Sequence, residues 1–151
     1  MIYNDISHII IITNDAEKVG YEIFKERIKK NLWPIYYKTK LSGFLREGIE
    51  VLFYIAGDNE LAQSFVASAT IERIVEDKDV ITDPNKKFAR VLYHLKFKNI
   101  KIFKEKIEIK KHLDNLKFIK AENKRYFGLY LQGGVKKIDK DTFDYVLSQT
   151  K

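Results

Sequence analysis

The feature that most constrains this chain is the run His8-Ile9-Ile10-Ile11-Ile12-Thr13, which holds four consecutive isoleucines. β-Branched side chains favour extended backbone, and successive residues of a strand point to opposite faces. A run that is apolar on both faces predicts a buried central strand.

The rest of the chain supplies partners for that strand. A helix is predicted to begin at Asn14, with Glu17 at the capping-box spacing. Its apolar stripe is Ala16, Val19, Ile23 and Phe24, and Lys25, Arg27, Lys29 and Lys30 gather at its C-terminal end, where the dipole favours cations. Residues 31–40 are aromatic and basic, are broken by Pro34, and read as a short extended segment inside a loop. Leu41–Arg46 reads as one helical turn and Ile49–Ala56 as a strand. In Phe65–Glu72 one face is small. Val91, Tyr93, Leu95 and Phe97 alternate with Leu92, His94, Lys96 and Lys98, giving a strand with an apolar inner face and a largely basic outer one. Ile107–Leu116 is expected to be a short helix, Lys117–Ile119 a short strand and Arg125–Leu131 an extended segment. Asp139 is expected to cap a closing helix whose Phe143, Val146 and Leu147 face inward. Strands with non-local pairing and irregularly placed helices point to one α+β domain over residues 1–151, with a curled or barrel-like sheet. No Gly-rich strand-to-helix turn is present, which removes Rossmann and P-loop readings.

Composition narrows the chemistry. The 151 residues contain no cysteine and three histidines, His8, His94 and His112, with no metal-ligand spacing. Disulfides, thiolate sites and a cysteine nucleophile are excluded, and a metal centre is not expected. The absence of cysteine beside abundant Ile, Lys and Glu suits a thermophile, and equally a low-GC genome. The apolar run at Ile9–Ile12 is too short for a signal or a membrane span, so a cytoplasmic protein is expected. Charge is unevenly placed. Residues 1–85 carry 10 Lys/Arg against 14 Asp/Glu, and residues 86–151 carry 18 against 7, so a formal −4 faces +11 within the total of +7. Such a field attracts polyanions, although a lysine-rich solvated surface gives the same count.

The candidate site combines Trp33, Tyr36 and Tyr37 with Tyr54 and the Arg125-Tyr126-Phe127 segment. Aromatic faces stack on an extruded base, at roughly 1–3 kcal/mol per base. Asn31, Thr39, Ser68 and Thr70 are candidates to read its edge. Lys38, Lys40, Lys124 and Arg125 are candidates for flanking phosphates, as are Lys96 and Lys98 on the basic strand. Core roles compete: a lone tryptophan is commonly a packing residue, and Tyr54 suits a core position with its hydroxyl at the surface. Acidic residues are scattered, and Ser42, Ser64, Ser68 and Ser148 lie in no nucleophile elbow, so no catalytic residue, cofactor or enzymatic activity is expected.

Three blocks of the chain resemble a known family. Ser7–Asn14 resembles the opening strand of archaeal EVE-domain proteins, which are grouped with thymocyte nuclear protein. Asn31-Leu32-Trp33, Lys38-Thr39-Lys40-Leu41 and Gly48 before Val51–Tyr54 are similar to the family's second block. Leu116–Lys120, Lys124–Phe127 and the helix after Ile138-Asp139 resemble its last block. The resemblance implies a PUA-like fold related to YTH domains: a curled β-barrel with flanking helices. It further implies non-catalytic binding of DNA or RNA carrying a methylated adenine or cytosine in an aromatic pocket. Asn31, Trp33, Thr39, Tyr54, Ser68 and Tyr126 are then the expected ligand contacts, with a restriction or RNA-processing effector as a partner in trans. Many members carry an aromatic residue in the first strand where this chain has Ile9 after His8, which implies a reduced cage. The alternative is a general RNA-binding module using Lys96, Lys98 and Lys101–Lys111 without preference for a modification.

Overall fold

The computed structural model describes residues 6–13, 20–37, 39–57, 63–76, 82–83, 86–120, 127–128, 130–131 and 134–150. Strand β1 is His8–Thr13, the isoleucine run. Helix α1 spans Gly20–Lys30; its expected beginning at Asn14 with Glu17 lies outside the described residues. Strand β2 is Trp33–Tyr36, β3 is Glu50–Ile55, β4 is Ser64–Val75 and β5 is Thr82–Asp83. The long β6 runs Lys86–Glu108, β7 is Val135–Ile138 and α2 is Lys140–Ser148.

Six strands follow the order β2-β6-β4-β3-β1-β7, and β5 pairs with β6 off that path. β1 runs parallel to β3, with Ile10 opposite Leu52, and antiparallel to β7. The central position expected for the isoleucine run is therefore observed. Pro34, which has no N–H to give a ladder, sits on the edge strand β2. Register shifts interrupt β3–β4 once and β4–β6 three times. Each bulge adds bend and twist, which curls the two longest strands.

Curling divides the apolar residues into two cores. The first holds Ile9, Ile11, Phe24, Trp33, Val51, Phe53, Ala67, Ala69, Leu95, Phe97 and Val135. Because it contains residues of both edge strands, β2 and β7, it fills the inside of the curl. The second holds Ile10, Leu52, Tyr54, Phe65, Phe103, Ile107, Leu116, Phe143 and Val146, and lies between the sheet and α2. β1 alternates between the two, which is why it must be apolar at every position. Gly20 lets α1 rest on the sheet: a Cβ there would stand 3.2 Å from the Thr13 carbonyl oxygen and 3.1 Å from Ile55 Cγ2. At the other end of the chain Asp139 accepts from the Thr142 amide at 2.7 Å, the expected N-cap of α2.

The segment after β6 departs from expectation. β6 continues to Glu108, and two 3-10 turns, Ile109–Lys111 and Leu113–Asn115, replace the helix expected over Ile107–Leu116. The strand expected at Lys117–Ile119 is a turn, and Phe127-Gly128 is 3-10 rather than extended. The reason is packing. Ile109, Leu116 and Ile119 are buried in the second core and Leu113 packs against it, and two tight turns bring all four there. Hydrogen bonds from His112 N to Ile109 O and from Asn115 N to His112 O, both 2.9 Å, close these tight turns. Among the described residues no helix is long and apolar enough to cross a membrane.

Candidate nucleic-acid interface

The aromatic-basic segment is built outward from the end of α1. Asn31 takes a left-handed conformation at φ 52, and its amide bonds to Ile28 O at 3.1 Å, which ends the helix. Its side chain then acts like a fragment of strand. Oδ1 accepts from the Phe97 amide at 2.8 Å, and Nδ2 donates to the Phe97 carbonyl at 3.0 Å. Both ends of the Asn31 amide are thereby committed to holding β6, and β2 starts two residues later.

Trp33 is 3% exposed. Phe53 lies 5.1 Å from it, and Phe24 and Phe97 lie 6.2 and 6.3 Å away, all centroid to centroid. The Arg27 guanidinium sits 5.1 Å over its ring and reaches the Tyr36 hydroxyl at 3.4 Å. The indole is thus enclosed by rings and covered by a cation.

Beyond β2 the chain turns sharply. Thr39 N donates to Tyr36 O at 3.0 Å, and Tyr36 N donates to Thr39 Oγ1 at 3.2 Å. Leu41 at φ 62 starts the 3-10 turn Ser42–Phe44, whose Ser42 carbonyl accepts from the Tyr93 hydroxyl. Burial pushes that phenol up to about 12. The turn meets the opposite edge of the sheet at Gly134. There φ is +85, a Cβ would stand 3.2 Å from Thr39 Cγ2, and the carbonyl accepts from Ile12 N at 2.8 Å. The curl closes at this contact, between the turn after β2 and the residue that precedes β7. Tyr37, 54% exposed, and the exposed Lys40 flank it.

The structure does not bring all the expected ligand contacts together. Trp33 belongs to the inner core and Tyr54 to the outer one, on opposite faces of the sheet. Tyr54 is 2% exposed, its ring is 5.2 Å from that of Phe65, and burial raises its pKa. Ser68 is buried opposite Leu52, on the Tyr54 side, and Thr70 donates to Glu50 Oε1 at 3.0 Å. Thr39 is the expected contact that reaches the closure. Lys38, Lys124, Arg125 and Tyr126 lie outside the described residues. On β6, Lys96 is half-buried, whereas Lys98, Lys101 and Lys104 are exposed.

One polar atom near the closure was not anticipated. Thr13 Oγ1, at the carboxyl end of β1, is buried with no hydrogen-bond partner among the described residues. A threonine closing an isoleucine run carries no sequence signal for this. Among the described residues no group of three His, Cys, Asp or Glu is placed to hold a metal ion.

No protein-family model matches the sequence, and no curated protein matches it. Solved structures do match over nearly the whole chain. ASCH from Zymomonas mobilis aligns with TM-score 0.59 at 13% identity, covering 96% of each chain. Human THYN1, in complex with DNA containing 5-methylcytosine, aligns with TM-score 0.55 at 16% identity, covering 94% of this chain and 96% of that one. The N-terminal domain of Staphylothermus marinus McrB aligns with TM-score 0.51 at 7% identity, covering 95% and 94%. These neighbours are PUA-like folds of the EVE and ASCH type, and the curled sheet with two flanking helices is the same architecture. At such identities the likeness establishes the fold.

Proposed function

We propose that this chain is an EVE-type, non-catalytic domain that binds nucleic acid and inspects a single, modified base where the curl closes. The observation that carries this reading is the contact of Thr39 with Gly134, flanked by the exposed Tyr37 and Lys40. Tyr37, 54% exposed, and the exposed Lys40 stand on either side of Thr39 in the turn that meets the other edge strand. A base needs an aromatic face to stack on, and its phosphate needs a positive charge. The THYN1 neighbour, solved with 5-methylcytosine DNA, supports the ligand class. In this reading Thr39 and Tyr37 contact the base and Lys40 holds a phosphate; Lys38, Lys124, Arg125 and Tyr126, expected from the sequence to take part, lie outside the described residues. Trp33 and Asn31 act from beneath, by fixing β2 against β6. An effector in trans would act on what is bound.

The test is fluorescence anisotropy with oligonucleotides carrying 5-methylcytosine, 5-hydroxymethylcytosine, N6-methyladenine or no modification. Tyr37→Ala is expected to weaken the preferred probe by about 5- to 160-fold, the loss of one stacked base. Equal binding of all probes by wild type and Tyr37→Ala overturns the base-reading site. A second reading is favoured by the exposed Lys98, Lys101 and Lys104 on β6: a general RNA-binding module. It predicts a steep salt dependence with no preference for a modification.

A further inference from the structure

The end of β6, the first 3-10 turn after it with His112, and the two residues that follow α2 line a cleft of about 450 Å³. Its lining is rich in donors: Lys104, Lys106 and Lys111, with the Gln149 amide and the His112 ring. Ile107, also in the lining, belongs to the outer core, so the cleft is on the α2 side of the sheet, whereas the Thr39 turn borders the inner one.

His112 is held from behind. Its Nδ1 is 2.7 Å from the Tyr145 hydroxyl oxygen, and the two rings meet edge-on at 5.6 Å. Asn115 Nδ2 donates to the same oxygen at 3.0 Å. A phenol that accepts from Asn115 still has its own proton to give, and Nδ1 is the acceptor in reach. With the phenol donating to Nδ1, the ring proton sits on Nε2 and makes that nitrogen a donor. Lys111 is positioned as well: Glu108 holds its ammonium at 2.8 Å, which leaves further N–H bonds to offer. Two carboxylates, Glu105 and Glu108, oppose the three lysines of the lining, and Lys111 already neutralises one of them.

We propose that this cleft is a phosphate-binding site, distinct from the base-reading site, with His112 Nε2–H and Lys111 as its oriented donors. Lysine ammonium groups beside an oriented ring N–H suit a ligand with many acceptor oxygens and negative charge. They do not suit a metal cation. The volume leaves room beyond the phosphate for the group esterified to it, so a nucleotide or a strand end is accommodated as well as the free anion.

The experiment is NMR of the full chain labelled with 15N-histidine, titrated with inorganic phosphate and, separately, with a 5′-phosphorylated dinucleotide. The expected result is an Nε2–H tautomer at His112 and saturable movement of its resonances. Response to the dinucleotide alone identifies a nucleotide or strand end; response to both identifies the phosphate group itself. Tyr145→Phe, which keeps the ring and removes the hydroxyl, should scramble the tautomer and weaken binding roughly three- to tenfold, as the loss of one oriented hydrogen bond does. Lys111→Gln should weaken binding by at least as much without moving the tautomer. An Nδ1–H tautomer in the wild type, or His112 resonances unmoved by both probes, overturns the proposal. Neither result touches the base-reading site, whose test reads Tyr37.

Discussion

Trp33→Ala separates a packing role from a stacking role. The indole is 3% exposed, with three phenylalanine rings within 6.3 Å and Arg27 over its face. Truncating a large buried aromatic to alanine costs about 3–5 kcal/mol, because the cavity is only partly refilled. Loss of the cation–π contact adds roughly 0.5–1 kcal/mol. In a domain of this length each kcal/mol moves the melting temperature by about 2–4 °C. The truncation itself should therefore lower Tm by on the order of 6–20 °C. Far-UV circular dichroism is the assay, because Trp33 is the single tryptophan and its fluorescence goes with it. In the wild type that fluorescence should be blue-shifted, resist acrylamide quenching and change little when an oligonucleotide binds. Trp33→Phe should keep both the fold and binding. A Trp33→Ala protein that melts within about 2 °C of wild type yet binds no probe would put the indole on the ligand and refute the packing argument.

Three further outcomes follow from the geometry. Asn31→Ala removes both side-chain bonds to Phe97 and a residue suited to positive φ, and should cost about 1–3 kcal/mol in urea unfolding, with faster hydrogen exchange at the Phe97 amide. Gly134→Ala combines a φ of +85 with a Cβ 3.2 Å from Thr39 Cγ2, so a loss of about 1–2 kcal/mol is expected. Thr39→Ser in the same chain should return part of that loss but not the strain; full rescue would show that the backbone conformation costs nothing. Burial lowers the pKa of His8, against the opposing pull of Glu50 and Asp144, so the fold favours its neutral form. The unfolded ring takes up its proton near its ordinary value of about 6.5 and the folded one only below that, so stability rises with pH through this window. The His8 contribution is present above about pH 6.5 and is lost as pH falls toward the folded value. Urea midpoints at about pH 7.5 and about pH 5.5 should differ more in wild type than in His8→Gln; equal differences would remove His8 as the cause.

Local signals carried much of the architecture. Four isoleucines in a row leave no solvated face, so β1 had to be central whatever flanked it. Asp139 announces α2 because an N-cap needs only its own side chain and an amide three residues on. The alternation from Val91 to Lys98 reads correctly as one face in and one face out because the period of a strand is a backbone property. The turns at Ile109–Asn115 failed as a helix because a short apolar run does not distinguish a 3-10 period from an α one. The outer core made that choice, by drawing in Ile109, Leu113, Leu116 and Ile119 together.

The site was less legible, for a different reason. Aromatic residues look alike in sequence whether they stack on a base or on each other. Only the curl of the sheet decides that Trp33 turns inward to Phe24, Phe53 and Phe97 while Tyr37, four residues later, stays exposed. The same curl sends Tyr54 to the opposite face and brings Thr39 against Gly134, 95 positions away in the numbering. The sequence by itself determined the central strand, the α+β class and the basic second half, since these depend on periodicity and composition. Which aromatics are covered and which two segments meet depend on bulges and on contacts between distant residues, and the tertiary structure alone decided them.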